Sequence, residues 1–250
     1  TPELQTDVET ADTLQRLEDL YRPYKPKRRT RATIAREKGL QALADLVLAQ
    51  TLESDRDALA HPFLTDDVPT VDDAYAGARD IVAETIADAP EVRADMRRLV
   101  QRHGTVGVAV ADESKDSKGV YQMYYSFFVD FRALRPHQIL AINRGERESV
   151  LKVSLEVPEP EAMGILAQRY PSDAGSPLMN DLAEARKDSY SRLLFPAVDR
   201  EMRRELSDMA DEHAIGVFAT NLKALLLQPP LRGQTVLGID PGYRTGCKVA

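Results

Sequence analysis

Between Ser176 and Leu227 apolar residues recur three and four apart, in Val198, Met202, Leu206 and Met209 and again in Ile215, Val217, Phe218, Leu222, Leu225 and Leu226. That is the helical period and not the period of two that a strand requires. Ser176 and Pro177 make a helix start, Pro196 an interruption, and Pro229 with Pro230 an end. On the outer faces Arg and Lys alternate with Asp and Glu, as they do on helices facing water. A chain with so much of its length in this pattern has to build around packed helices, which makes the expected fold class mainly α, an elongated multi-helix bundle.

The remainder agrees with that frame. Val8, Ala11, Leu14, Leu17 and Leu20 stripe a helix over Asp7 to Leu20, stopped by Pro23. A helix from about Thr33 to Lys38, a turn at Gly39 and a second helix from Leu40 to Thr51 form a helix-turn-helix-like element within about residues 7–52. Its second helix has no Lys or Arg and carries Asp45, which suits packing better than the reading of DNA bases. Thr70 and Asp73 form a capping box ahead of Ala74, Ala78, Ile81, Val82 and Ile86; another helix runs from Pro90 to Gly104. Few short strands are expected: Thr105 to Val110, and Leu151 to Val157, where Leu151, Val153, Leu155 and Val157 alternate with polar residues before Pro158. Tyr121, Tyr124, Phe128 and Phe131 have helical spacing and are expected on one buried side of a helix, and Pro136 opens a further one.

One stretch departs from its surroundings. Seven of the chain's 33 Lys and Arg residues, Arg22, Lys25, Lys27, Arg28, Arg29, Arg31 and Arg36, fall between Tyr21 and Arg36, where no acidic residue occurs, although the whole chain carries 40 Asp and Glu. Pro23 and Pro26 are expected to hold the run extended. Guanidinium groups match phosphate geometrically, and the interleaved Tyr21 and Tyr24 offer flat faces to unpaired bases. The same run could equally pair with acidic helices of its own chain. Arg144, Arg147 and Lys152 form a second, smaller basic group.

Net charge of −7 excludes a protein that coats nucleic acid generally, so any such binding is local. The lone Cys247 permits no internal disulfide and no Cys-based metal cluster, and His61, His103, His137 and His213 lack ligand spacing; no metal or other cofactor is expected. No apolar run reaches the roughly 18 residues of a membrane span. Without an initiating Met, and ending within an apparent strand, the chain reads as an excerpt of a longer protein.

At the carboxyl end, Thr235 to Ile239 reads as a strand delivering Asp240 to a turn at Pro241 and Gly242, with a second strand from Gly246. Gly238, Ile239, Asp240, Pro241 and Gly242 resemble the opening of a ribonuclease-H-like domain, in which such an aspartate helps to hold Mg²⁺. A two-metal site needs several converging carboxylates, and this stretch supplies one.

Taken together, Leu20 to Arg31, Ile34 with Ala35, Gly39 with Leu40, Ala141 to Leu151, Ala214 to Leu222, Leu237 to Gly246 and Lys248 to Ala250 resemble the bacterial transcription accessory protein family, Tex. The resemblance implies a helical amino-terminal region over 1–232 and the start of a YqgF ribonuclease-H-like domain over 233–250, in a cytoplasmic protein whose S1 domain lies elsewhere. It implies a noncatalytic role in transcription, with RNA as the partner and DNA as a second candidate, and no membrane. The expected phosphate contacts are Arg22, Lys25, Lys27, Arg28, Arg29 and Arg31, with Tyr21 and Tyr24 as stacking faces. Two alternatives stand beside it: a metal-dependent nuclease or resolvase built on Asp240, and a module whose charged Pro177 to Leu227 helices dock on the transcription machinery.

Overall fold

The computed structural model describes residues 2–25, 29–52, 55–229, 232–244 and 246–250, without the side chains of Pro2 and Glu3. Its contacts separate two units, Thr1–Ala210 and Asp211–Ala250. The first runs through α1 (Pro2–Glu9), α2 (Leu14–Tyr21), α3 (Arg31–Glu37), α4 (Gln41–Ala49), α5 (Arg56–Ala60), α6 (Val71–Asp88) and α7 (Pro90–His103). There follow β1 (Thr105–Val110), β2 (Ser126–Asp130), α8 (Pro136–Arg147), β3 (Leu151–Glu156), α9 (Glu159–Arg169) and α10 (Met179–Asp188). A π-helical segment, Ser189–Leu194, then leads into α11 (Phe195–Leu226), which continues past Ala210. Mainly α with a few short strands is the architecture found.

Helix α6 is the element the others pack on. The Thr70 hydroxyl accepts from the Asp73 backbone N–H at 3.1 Å, satisfying a donor that the first turn leaves open. Ala74, Ala78, Ile81, Val82 and Ile86, the stripe read from the sequence, are all buried. Helices α3 and α4 seat on α6 across Gly77, where an added Cβ would come within 2.4 Å of Leu40 Cδ1 and 3.3 Å of Ala35 Cβ. Gly39, with φ +80°, makes the turn between them, and α4 turns Leu43, Ala44 and Val47 into the core. The second helix of the helix-turn-helix-like pair is thus a packing helix.

The three strands form an antiparallel sheet in the order β2-β1-β3, with Gly107 opposite Phe128 on one side and Ser154 on the other. Val106, Val108, Leu151 and Leu155 are buried beneath it. The expected aromatic helix at Tyr121 to Phe131 is instead a short 3₁₀ turn, Gln122–Tyr124, followed by β2. Tyr121, Tyr124 and Phe131 are buried as expected, but Phe128 lies on the outer face. Pairing with β1 overrides a spacing that is helical by coincidence. Likewise the stretch from Asp7 to Leu20 is two helices, because Thr13 caps α2 by accepting from the Arg16 N–H at 3.2 Å. Helix α9 went unread because Pro158 and Pro160 signalled an end; a proline in the first turn is also a helix start.

The π turn has a local cause. Phe195 N–H donates to Tyr190 O, five residues back, and the next residue, Pro196, has no N–H to give. Beyond it Val198, Met202 and Leu206 are buried as read, whereas Met209 is half exposed.

In the second unit β4 (Ile239–Pro241) and β5 (Cys247–Val249) form a hairpin with Asp240 opposite Lys248. The stripe of Ile215, Val217, Phe218, Leu222, Leu225 and Leu226 is exposed. Among the described residues no helix is long and apolar enough to cross a membrane.

Candidate nucleic-acid interface

The basic run leaves α2 through a 3₁₀ turn, Arg22–Tyr24, rather than in an extended form. Arg22 keeps helical angles (φ −54°, ψ −44°) despite the proline after it, because its N–H bonds Asp19 O and continues the helix. Lys25, before Pro26, is extended as expected (φ −68°, ψ 131°). Pro26, Lys27 and Arg28 lie outside the described residues. Thr30 then caps α3, its hydroxyl accepting from the Thr33 N–H at 3.0 Å, and Arg31 is the first helical residue.

Opposite the run, α6 presents Asp80, Glu84 and Asp88, four apart and therefore on one face. Arg22 Nε lies 3.0 Å from Asp88 Oδ1, and Arg36 Nη1 lies 2.9 Å from Glu84 Oε1, while the Thr30 hydroxyl donates to Glu84 Oε2 at 2.9 Å. Asp80 pairs with Arg192 at 2.8 Å; its pKa is raised by burial, against the pull of Arg192 and of Arg31. The acidic stripe therefore anchors both ends of the run. Sequence reading did not single it out, although the spacing from Asp80 to Glu84 to Asp88 was visible.

The candidate residues divide accordingly. Arg22 is tied to α6, and Arg29 makes an exposed pair with Glu37 at 2.8 Å, a contact of at most about 1 kcal/mol that water and salt readily replace. Lys25 and Arg31 are exposed and form no ion pair among the described residues. Tyr21 and Tyr24 are 55% and 62% exposed. What remains open to solvent is Lys25, Arg31, Tyr21 and Tyr24, on a run whose two ends are held by an acidic helix.

At the other end of the chain Gly238 and Ala250 exchange backbone hydrogen bonds of 2.7 and 2.9 Å, and Gly242 N–H reaches Gly246 O at 2.8 Å, with Gly246 at φ +62°. Asp240 is exposed on this hairpin, and Pro241 ends β4 ahead of Gly242. Among the described residues no three His, Cys, Asp or Glu side chains converge as a metal site would require.

Residues 52–218 match the family model described as Tex central region-like. A Bacillus subtilis protein, YdcI, is 43% identical across the whole chain, which covers 35% of that relative. The Transcriptional accessory protein Tex of Neisseria gonorrhoeae is 36% identical over 99% of the chain and 33% of its own length. The human S1 RNA-binding domain-containing protein 1 is 33% identical over 95% of the chain and 25% of its own length. The chain thus spans about a third or less of each of these relatives. With a family model matched over most of its length, the chain belongs to the Tex family.

Proposed function

We propose that this chain is the helical region of a transcription accessory factor, that it is noncatalytic and cytoplasmic, and that it adds an RNA contact of its own through the amino-terminal basic run. Residues 1–232 would form that region and 233–250 would open the YqgF domain. The observation that carries the contact is the exposure of Tyr21 and Tyr24 in a run whose Lys25 and Arg31 are exposed and form no ion pair among the described residues. Their chemistry is that of single-strand binding, in which phosphates meet point charges and bases meet rings. The names of two relatives, one a transcriptional accessory protein and one an S1 RNA-binding domain-containing protein, support the same partner. Phosphate contacts of this kind position a strand without reading its sequence.

The test is a salt titration of single-stranded RNA affinity for the chain and for R28A/R29A/R31A. The expected result is weaker binding, with the slope of log affinity against log salt reduced by about 0.7 for each lost phosphate contact. Equal affinity and equal slope would mean that the run serves only to hold α2 and α3 on α6.

A further inference from the structure

The sheet leaves one edge open. At the two ends of the β1–β2 ladder Val110 N–H bonds Tyr125 O at 3.3 Å and Phe131 N–H bonds Gly104 O at 2.8 Å, and the register between them pairs Val108 with Phe127 and Val106 with Val129. Hydrogen-bonded and outward-turned residues alternate along an antiparallel strand, so Phe127 and Val129 turn their backbone groups to β1 while Ser126, Phe128 and Asp130 turn theirs away. Among the described residues no partner outside the ladder is found for the N–H and C=O of Ser126 and Phe128, or for the N–H of Asp130.

The two edges of the sheet are unlike. On β3 the outer face carries Lys152, Ser154 and Glu156, Pro158 follows, and Leu151 and Leu155, whose backbone groups point away from β1, are buried. Charge, proline and cover are the protections that keep an edge strand from pairing. Strand β2 has no Lys, Arg or Pro, and its one charge, Asp130, stands at its end. The centre of its outer face is Phe128, 65% exposed, whose ring lies against Gly107: a Cβ added there would come within 3.1 Å of Phe128 Cε1. An unguarded apolar edge is a template for another strand.

We propose that β2 pairs antiparallel with β2 of a second copy of this chain. The strand is complementary to itself. A pairing centred on Phe128 sets Phe128 opposite Phe128 of the second copy, ring beside ring on the outer face, and sets Ser126 opposite Asp130. Each carboxylate then meets a hydroxyl, and the two carboxylates lie at opposite ends of the pair. The Phe128 N–H and C=O bond their counterparts in both directions, and Asp130 N–H reaches Ser126 C=O. The same patch serves both copies, so the contact closes at a dimer. One short strand buries less than a standard interface, which makes the dimer weak and concentration-dependent. None of this depends on the RNA contact proposed above.

The experiment is sedimentation equilibrium of the full chain across concentration, with amide hydrogen exchange read residue by residue by NMR at both ends of the range. The average mass should rise toward that of a dimer. The amides of Phe128 and Asp130 should slow as it does, while those of Phe127 and Val129, already bonded to β1, stay constant. Phe128→Lys removes the ring pair and sets like charges opposite each other, so dimerisation should weaken about tenfold. Phe128→Thr removes the ring, keeps strand preference and should weaken it less. Both variants should keep the wild-type thermal midpoint, since Phe128 is exposed. The exposed stripe of α11 is a rival surface for self-association, so Leu222→Glu is the control and should dimerise as wild type does. A monomer at every concentration would overturn the pairing. So would a dimer whose Phe128 and Asp130 amides exchange as fast as in the monomer, or one lost in Leu222→Glu and kept in Phe128→Lys.

Discussion

Arg93 Nε donates to Asp19 Oδ1 at 3.0 Å, with both side chains at most 2% exposed. Arg97 also donates to Asp19, and both arginines reach Glu201, so α2, α7 and α11 meet at one charge network. Removing Asp19 leaves Arg93 and Arg97 to share the single carboxylate of Glu201, so positive charge stays buried with only part of its compensation. Asp19→Ala is expected to cost about 3–5 kcal/mol in urea unfolding. A loss under about 1 kcal/mol would show that water reaches Arg93 in the variant.

The acidic stripe of α6 competes with any anion for the basic run. Glu84→Gln removes the charge that faces Arg36 and weakens the bond from Thr30, and is expected to destabilise the fold by about 1–3 kcal/mol. If the run contacts RNA, the same substitution should tighten RNA binding, since it subtracts a negative charge beside the phosphate path. Paired unfolding and anisotropy measurements read both effects, and an unchanged or weaker RNA affinity counts against the run as a contact.

Gly77 tests the seat of α3 and α4. A methyl group there meets Leu40 Cδ1 at 2.4 Å, so Gly77→Ala must displace the Leu40 side chain. The expected cost of this overpacking is about 1–3 kcal/mol. A thermal midpoint equal to wild type would mean that Leu40 moves aside freely.

Two tyrosines should respond to alkali late. Burial pushes Tyr75 up to about 12, and burial with the hydrogen bond to Asp116 pushes Tyr125 up to about 12. For an acid with a raised folded-state pKa, the stabilisation is complete below the unfolded value, near 10, and is lost as pH rises from there toward 12. Stability should therefore fall across that window, and ultraviolet titration should find a late tyrosine step that is smaller in Tyr75→Phe. A titration complete by pH 10.5 in the folded protein would contradict this.

What the sequence made legible was what is local. The Thr70 cap, the α6 stripe and the alternation in β3 are written in neighbouring residues, and the structure has each of them. The aromatic segment at Tyr121 failed because the pairing of β2 with β1 joins residues some twenty positions apart, which no short window can register. The basic run was legible as a composition, but its engagement was not: that Arg22 is held and Lys25 is open follows from where α6 passes.

The π turn before α11 sets a phase. An ordinary helix turns about 100° per residue, so the extra residue accommodated within Ser189–Leu194 fixes the angular setting of everything after it. Val198, Met202 and Leu206 face the core because the wider turn absorbs that residue. If the turn reverted to α geometry with all its residues kept, the stripe would rotate by about 100° and bring residues one position away, such as Glu201 and Glu205, toward the interior. A one-residue deletion in this turn should thus be better tolerated than a change that straightens it at full length, since only the latter re-indexes the inward face of α11.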